Sequence, residues 1–164
     1  KIIDGFTEFF HPNKKKEEFF MKVSVDKVIE LIESKLTENG ISLKVNIKYE
    51  KLYGVETEFQ QVILNLVNNA HEALMENKIK NKQIVISVST EEDNILLRVE
   101  DNAKGISKKI ISKIFEPYFT TKKGSSGIGL YLVQLITKLS FEADLEVANS
   151  SNGAIFRIKF PNKK

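Results

Sequence analysis

Asn65, Asn69, Asp101 and the glycines at 105, 127 and 129 are spaced so that one fold could bring them together around a charged ligand. Asn65 and Asn69 lie in residues 56–76, where Phe59, Val62, Ile63, Leu66, Ala70 and Ala73 recur at helical period. Four positions apart, the two amides sit about 40° from each other at the border of the apolar face. Glu58, Glu72 and Glu76 fall on the same flank. Mg²⁺ prefers hard oxygen ligands and is usually held by few protein groups plus substrate phosphates, a task that a carboxamide oxygen suits. Asp101 follows an alternating run and precedes a turn containing Gly105, which holds its carboxylate at a strand end. When ionised it only accepts hydrogen bonds, so it favours a base edge bearing an amine, as adenine has, over one bearing a carbonyl. Gly127 and Gly129 open another helical segment, whose first N–H groups and dipole favour phosphate. Lys122 and Lys123 stand just before it. Each feature alone has a plainer account: amides solvating a helix edge, an aspartate starting a turn, lysines in a solvated loop.

The elements that must position these groups are legible from periodicity. Residues 26–36 read as a helix ended by Asn39-Gly40, and Ile41, Leu43, Val45, Ile47 and Tyr49 alternate as a strand. After the helix at 56–76, two alternating runs at 84–88 and 95–99 flank the turn residues 91–94. Ser107 can cap a short helix through Ile114, and Gly127 opens a helix to about Leu139. Strand-like runs at 143–148 and 154–160, joined by Asn149-Ser150-Ser151-Asn152-Gly153, close the chain. This order predicts an α/β fold, a two-layer sandwich in which a mixed sheet is covered on one face by three helices.

Taken in order, Asn65-Leu66-Val67-Asn68-Asn69-Ala70, then Asp101-Asn102-Ala103-Lys104-Gly105, then Phe115-Glu116-Pro117-Tyr118-Phe119-Thr120-Thr121-Lys122, then Gly127-Ile128-Gly129-Leu130, the chain resembles the N, G1, F and G2 boxes of the ATP-binding domain of two-component sensor histidine kinases. The resemblance implies a Bergerat-type sandwich that binds ATP and Mg²⁺. It places Asn65 and Asn69 in catalysis, with Asn69 as the Mg²⁺ ligand. Asp101 would read adenine and Gly105 would let the backbone approach it. Phe115 and Phe119 would anchor an ATP lid, while Lys122, Gly127, Ile128, Gly129 and Leu130 would meet the phosphates. Three positions depart from the family pattern: Ala103 and Ser125 replace glycines, and Glu72 stands where many relatives carry Lys or Arg. At Ala103, a Cβ costs on the order of 1 kcal/mol if the position needs positive φ.

Related ATPases of the same superfamily place Glu, as a general base for water, where this chain has Asn65. An amide does not abstract a proton at neutral pH, so a kinase is favoured over a hydrolase; neutral imidazole is already nucleophilic there. The implied reaction is transfer of the ATP γ-phosphate to a histidine on a dimerisation domain, for relay to a response regulator, with a homodimer as the full-length state. The nitrogen-regulator type of sensor kinase is the nearest variant. Alternatives are a nucleotide-gated interaction module with little phosphotransfer, an ATPase and an anti-sigma-type serine kinase. A Walker-type loop is absent, and Thr120-Thr121-Lys122-Lys123, not a strand, precedes the glycines, which excludes a dinucleotide fingerprint.

Ile2, Ile3, Phe6, Phe9 and Phe10 share a helical face that Pro12 stops, so residues 1–12 read as the stump of a dimerisation helix, 13–20 as a linker and 21–164 as the catalytic domain. His11, followed by proline, reads as a surface residue rather than a phosphoacceptor, and His71 as a histidine on the helix surface. The 164 residues carry 25 basic and 22 acidic side chains without a dominant basic patch, which argues against nucleic acid as partner. No cysteine is present, which excludes disulfides and thiolate metal sites and fits a cytoplasmic location. No apolar run approaches the roughly 18 residues of a membrane span, although the full-length protein is compatible with an anchor elsewhere.

Overall fold

The computed structural model describes residues 15–120 and 127–161. Strand β1 (Glu17–Phe20) leads directly into helix α1 (Met21–Glu38), followed by β2 (Ser42–Asn46), β3 (Lys51–Gly54) and helix α2 (Glu56–Glu76). Strands β4 (Gln83–Glu91) and β5 (Asn94–Asp101) come next, then helix α3 (Gly129–Leu135), whose last turns widen to a π-helix at Ile136–Ser140, and finally β6 (Asp144–Asn149) and β7 (Ala154–Pro161). The main sheet has the order β2-β4-β5-β7-β6, with β2 and β4 parallel and every other pair antiparallel. The expected mixed sheet and three helices are therefore present.

The core lies between sheet and helices because each helix is apolar along one stripe. On α1 the buried apolar positions are Met21, Val25, Val28, Ile32 and Leu36, the three-and-four spacing of a packed face. Gly40, at φ +70°, then reverses the chain, and the Ile41 N–H returns to the Leu36 carbonyl at 2.9 Å. On α2, Phe59 is fully buried amid aromatic rings, with centroids 5.5 Å from Phe19, 6.4 Å from Phe141 and 6.2 Å from Phe160. These edge and tilted contacts tie β1, α2, the residue after the π-helix and the last strand to one centre.

Several expectations change. Residues 17–20, read as part of the linker, form β1, which pairs antiparallel with β3 to make a separate two-stranded ribbon. Both strands have only four residues in a charged context, too short for alternation to show. Helix α1 begins at Met21 rather than at residue 26, and Tyr49 lies beyond β2 and is exposed. The short helix expected after Ser107 is instead a chain of turns: Ile110 and Ile111 N–H groups reach the Ser107 carbonyl, and Lys113 reaches that of Ile110. The helix stump at 1–12, His11, Lys122 and Ser125 lie outside the described residues.

Candidate functional site

Between the polar edge of α2, the end of β5 and the start of α3 lies a cleft of about 460 Å³. It falls within the usual range for small-molecule sites, about 300–1,000 Å³. Asn65 and Asn69 line one wall, with Asn68, Glu72 and Glu76 on the same helix, while Asp101 and Gly105 line the floor and Gly127, Gly129 and Leu130 the far end. The structure thus brings together the site residues expected from sequence, with two exceptions. Ile128 is buried rather than lining the cleft, and its carbonyl accepts the Leu132 N–H at 2.9 Å at the entry to α3. Lys122 is outside the described residues. Glu58, expected on the cleft flank, is buried and does not line it.

At the inner end, Asp101 closes β5 with its side chain almost wholly buried. Its Oδ1 accepts the Ala103 N–H at 2.9 Å and the Ala154 N–H at 3.4 Å, which fixes the carboxylate relative to the cleft. Ala73, Ile106, Ile110 and Ile114 supply an apolar wall beside it. A flat heterocycle with one amine edge fits such a slot. The neighbouring Asn102 turns away from the cleft: its Oδ1 accepts the Gln83 N–H and its Nδ2 donates to the Asn81 carbonyl, both at 2.8 Å.

The departure at Ala103 is harmless to the backbone. The left-handed residues of this loop are Lys104, at φ 72°, and Gly105, at φ 84°, while Ala103 is not among the positive-φ positions and packs into the core. Glycine is required at 105 for a second reason, since a Cβ there would sit 2.6 Å from Asn149 Oδ1.

At the outer end, the Asn65 Nδ2 donates to the Gly129 carbonyl at 3.1 Å, and its Oδ1 accepts from Gln61 Nε2 at 2.8 Å. Asn65 therefore ties the first residue of α3 to α2. The Tyr118 N–H donates to the Gly127 carbonyl at 3.1 Å, joining the two segments that flank residues 119–126. Gly127 has φ +72°, and a Cβ there would meet the Tyr118 carbonyl carbon at 2.5 Å. Phe115 stacks edge-on against Phe156 at 6.1 Å, and Phe119 packs against the core, as expected of anchors.

The charge of the cleft is one-sided. Glu72, Glu76 and Asp101 line it, and no Lys or Arg does so among the described residues. No group of three or more His, Cys, Asp or Glu suited to a metal occurs among them either. A divalent ion here would be held by few protein oxygens together with its ligand's own, which is the Mg²⁺ pattern. The carboxamides of Asn65, Asn68 and Asn69 and the carboxylates of Glu72 and Glu76 are the hard oxygens on this wall that such an ion could use.

His71 is buried where α2 meets the end of α1, away from the cleft lining, rather than on the helix surface. The Asn39 amide donates to its Nε2 at 2.9 Å and to the Lys35 carbonyl at 2.9 Å. Burial, and secondarily the Lys35 charge, hold its pKa below the ordinary histidine value against the opposing pull of Glu72. Its Nδ1 has no hydrogen-bond partner among the described residues.

Periodicity missed the support beneath Asp101. The segment Asn149 to Gly153 reads as a plain turn, yet its backbone and the Asn149 amide run directly under the loop at 101–106. The only sequence signal was two asparagines and a glycine closing a turn.

Comparison with known proteins places this geometry. Residues 54–164 match the family described as histidine kinase-, DNA gyrase B- and HSP90-like ATPase. The chain is 28% identical over 154 residues to sporulation kinase A of Bacillus subtilis, covering 92% of this chain and 25% of that protein. It is 32% identical over 169 residues to a probable C4-dicarboxylate sensor kinase of Halalkalibacterium halodurans, covering 94% of this chain and 31% of that one. It thus spans about a third or less of these relatives. Among solved structures, the catalytic domain of histidine kinase ThkA superposes with a TM-score of 0.78 at 25% identity, covering 90% of this chain and 96% of that one.

Proposed function

The chain belongs to the histidine kinase-, DNA gyrase B- and HSP90-like ATPase family, and from that we propose that it is the ATP-binding catalytic domain of a sensor histidine kinase. Its reaction is transfer of the ATP γ-phosphate to a histidine carried by a dimerisation domain, followed by relay to a response regulator. One observation carries the reading: residues 65, 69, 101, 105, 127, 129 and 130, far apart in sequence, line a single cleft of nucleotide size.

Asp101, fixed by two backbone N–H groups, accepts a hydrogen bond from the adenine amine and opposes the guanine carbonyl. The apolar wall excludes water from the base. The Asn69 carboxamide oxygen, on the cleft wall, would hold Mg²⁺ carried in with the nucleotide, and the ion would supply charge neutralisation for phosphoryl transfer. Glu72 and Glu76 repel bare triphosphate, which makes nucleotide affinity strongly cation-dependent. Asn65 holds the start of α3 in place and offers no basic atom, so water is not activated and catalysis consists of positioning and electrostatics. The homodimer, the response-regulator partner and the cytoplasmic location belong to the same proposal. No described helix is long and apolar enough to cross a membrane.

The test is calorimetry followed by transfer. Mg²⁺–ATP binds the chain and EDTA abolishes binding. Labelled phosphate then appears on an added cognate dimerisation domain as an acid-labile adduct. Absence of adenine-nucleotide binding by the folded chain overturns the proposal. A second reading, a nucleotide-gated interaction module, draws on Glu72 standing in the cleft, and binding without transfer favours it.

A further inference from the structure

The turn joining β6 and β7 touches the loop after β5 at several points that share one effect. Asn149 Oδ1 accepts the Ile106 N–H at 2.7 Å, and Asn149 Nδ2 donates to the Ile106 carbonyl at 2.8 Å. The Lys104 N–H donates to the Asn152 carbonyl at 3.1 Å. The Ala154 N–H reaches Asp101 Oδ1, and the backbone at Gly153 passes so close to Asp101 that a Cβ would overlap its carbonyl oxygen. Ser150 stiffens the turn from within, its Oγ accepting the Gly153 N–H at 2.9 Å.

Lys104 and Gly105 are both left-handed, a conformation that a non-glycine residue holds only when its surroundings enforce it. The turn supplies that enforcement: the Asn152 carbonyl holds the Lys104 N–H, and the Asn149 amide matches both the N–H and the C=O of Ile106, as a neighbouring strand would match one residue. Ile106, the residue so gripped, lies on the cleft wall beside the base slot, and Asp101 lies at its floor.

We infer that Asn149 is the positioning residue for base selectivity: by clamping Ile106 it sets the distance between the apolar wall and the Asp101 carboxylate, and so the discrimination of adenine from guanine. The inference rests on the proposed nucleotide reading. It concerns the base end of the cleft alone, since Asn149 does not line the cleft and the phosphate end is built from α2 and α3.

The experiment measures Mg²⁺–ATP and Mg²⁺–GTP affinities of the whole chain by calorimetry for wild type, Asn149→Ala and Asn149→Asp, with thermal melts alongside. Asn149→Ala lowers ATP affinity at least tenfold, leaves GTP affinity within about twofold, and so collapses the ATP:GTP ratio. Asn149→Asp keeps the acceptor for the Ile106 N–H but loses the donor, and falls between. A ratio unchanged in both folded variants, or equal loss of both nucleotides, overturns the inference. If Asn149→Ala has no cooperative melt, Asn149→Asp decides alone; failure of both to fold also overturns it, by making Asn149 a determinant of the fold. Failure of the wild type to bind ATP is a different result, and overturns the proposed function instead.

Discussion

The two ends of the cleft are built from different materials. The end proposed for the base is set by side chains gripping backbone across the sheet: Asp101 on Ala103 and Ala154, Asn149 on Ile106, Asn102 on Gln83. The end proposed for the phosphates is set by glycine backbone against a helix amide and a neighbouring peptide, through Asn65 to Gly129 and Tyr118 to Gly127. A side chain pinned in a sheet is preorganised and discriminates shape. A glycine-rich turn on a helix edge accommodates any triphosphate. Base and phosphate recognition should therefore fail separately.

The sharpest way to break this contrast is through glycines. Gly153→Ala sets a Cβ 2.0 Å from the Asp101 carbonyl oxygen and 2.9 Å from Asn102 Cα, and neither backbone group can yield. Overpacking of this kind costs about 3 kcal/mol or more, to be seen in urea denaturation together with lost nucleotide binding. Gly129→Ala meets nothing closer than Asn65 Cγ at 3.9 Å, so the melt should hold or improve slightly. Equal destabilisation by the two would erase the distinction.

Asp101→Asn comes next. It retains an acceptor for the two N–H groups but turns an amide donor toward the base, and ATP affinity should drop about 100-fold with GTP little affected, on the scale of a lost charged hydrogen bond of about 2–3 kcal/mol. Asn65→Ala should cost about 1 kcal/mol through the lost bond to Gly129 and weaken ATP and GTP alike. Calorimetry with both nucleotides reads the two variants on one scale, and a selective loss in Asn65→Ala would contradict the division of labour.

The smallest effect lies outside the cleft. His71 has a lowered pKa in the folded protein, so below about pH 6.5 the unfolded chain takes up the proton first and stability falls with pH. Above that pH both states are neutral and the contribution vanishes. His71→Gln, which keeps an acceptor for Asn39, should flatten the slope of melting temperature between pH 7.5 and 5.5 and leave nucleotide binding at pH 7.5 unchanged.

Sequence spacing located α2 to its end residues because Phe59, Val62, Ile63 and Leu66 repeat over many turns, and the motif order grouped Asn65, Asn69 and Asp101, which line one cleft. What it missed has a common cause. The ribbon of β1 and β3 is made of four-residue strands, His71 is buried and meets Asn39 at the end of α1, which its own helix does not foretell, and Asn149 acts on a residue 43 positions earlier. Periodicity reports what a segment offers to the core. It carries nothing about which turn a distant amide will hold.

The hydrogen bond between Tyr118 and Gly127 has one more implication. It couples the turns after Ser107 to the entry of α3, and the clash that a Cβ at 127 would make with the Tyr118 carbonyl carbon falls on that same junction. A side chain placed there would therefore disturb both segments at once, whichever of them it is meant to probe.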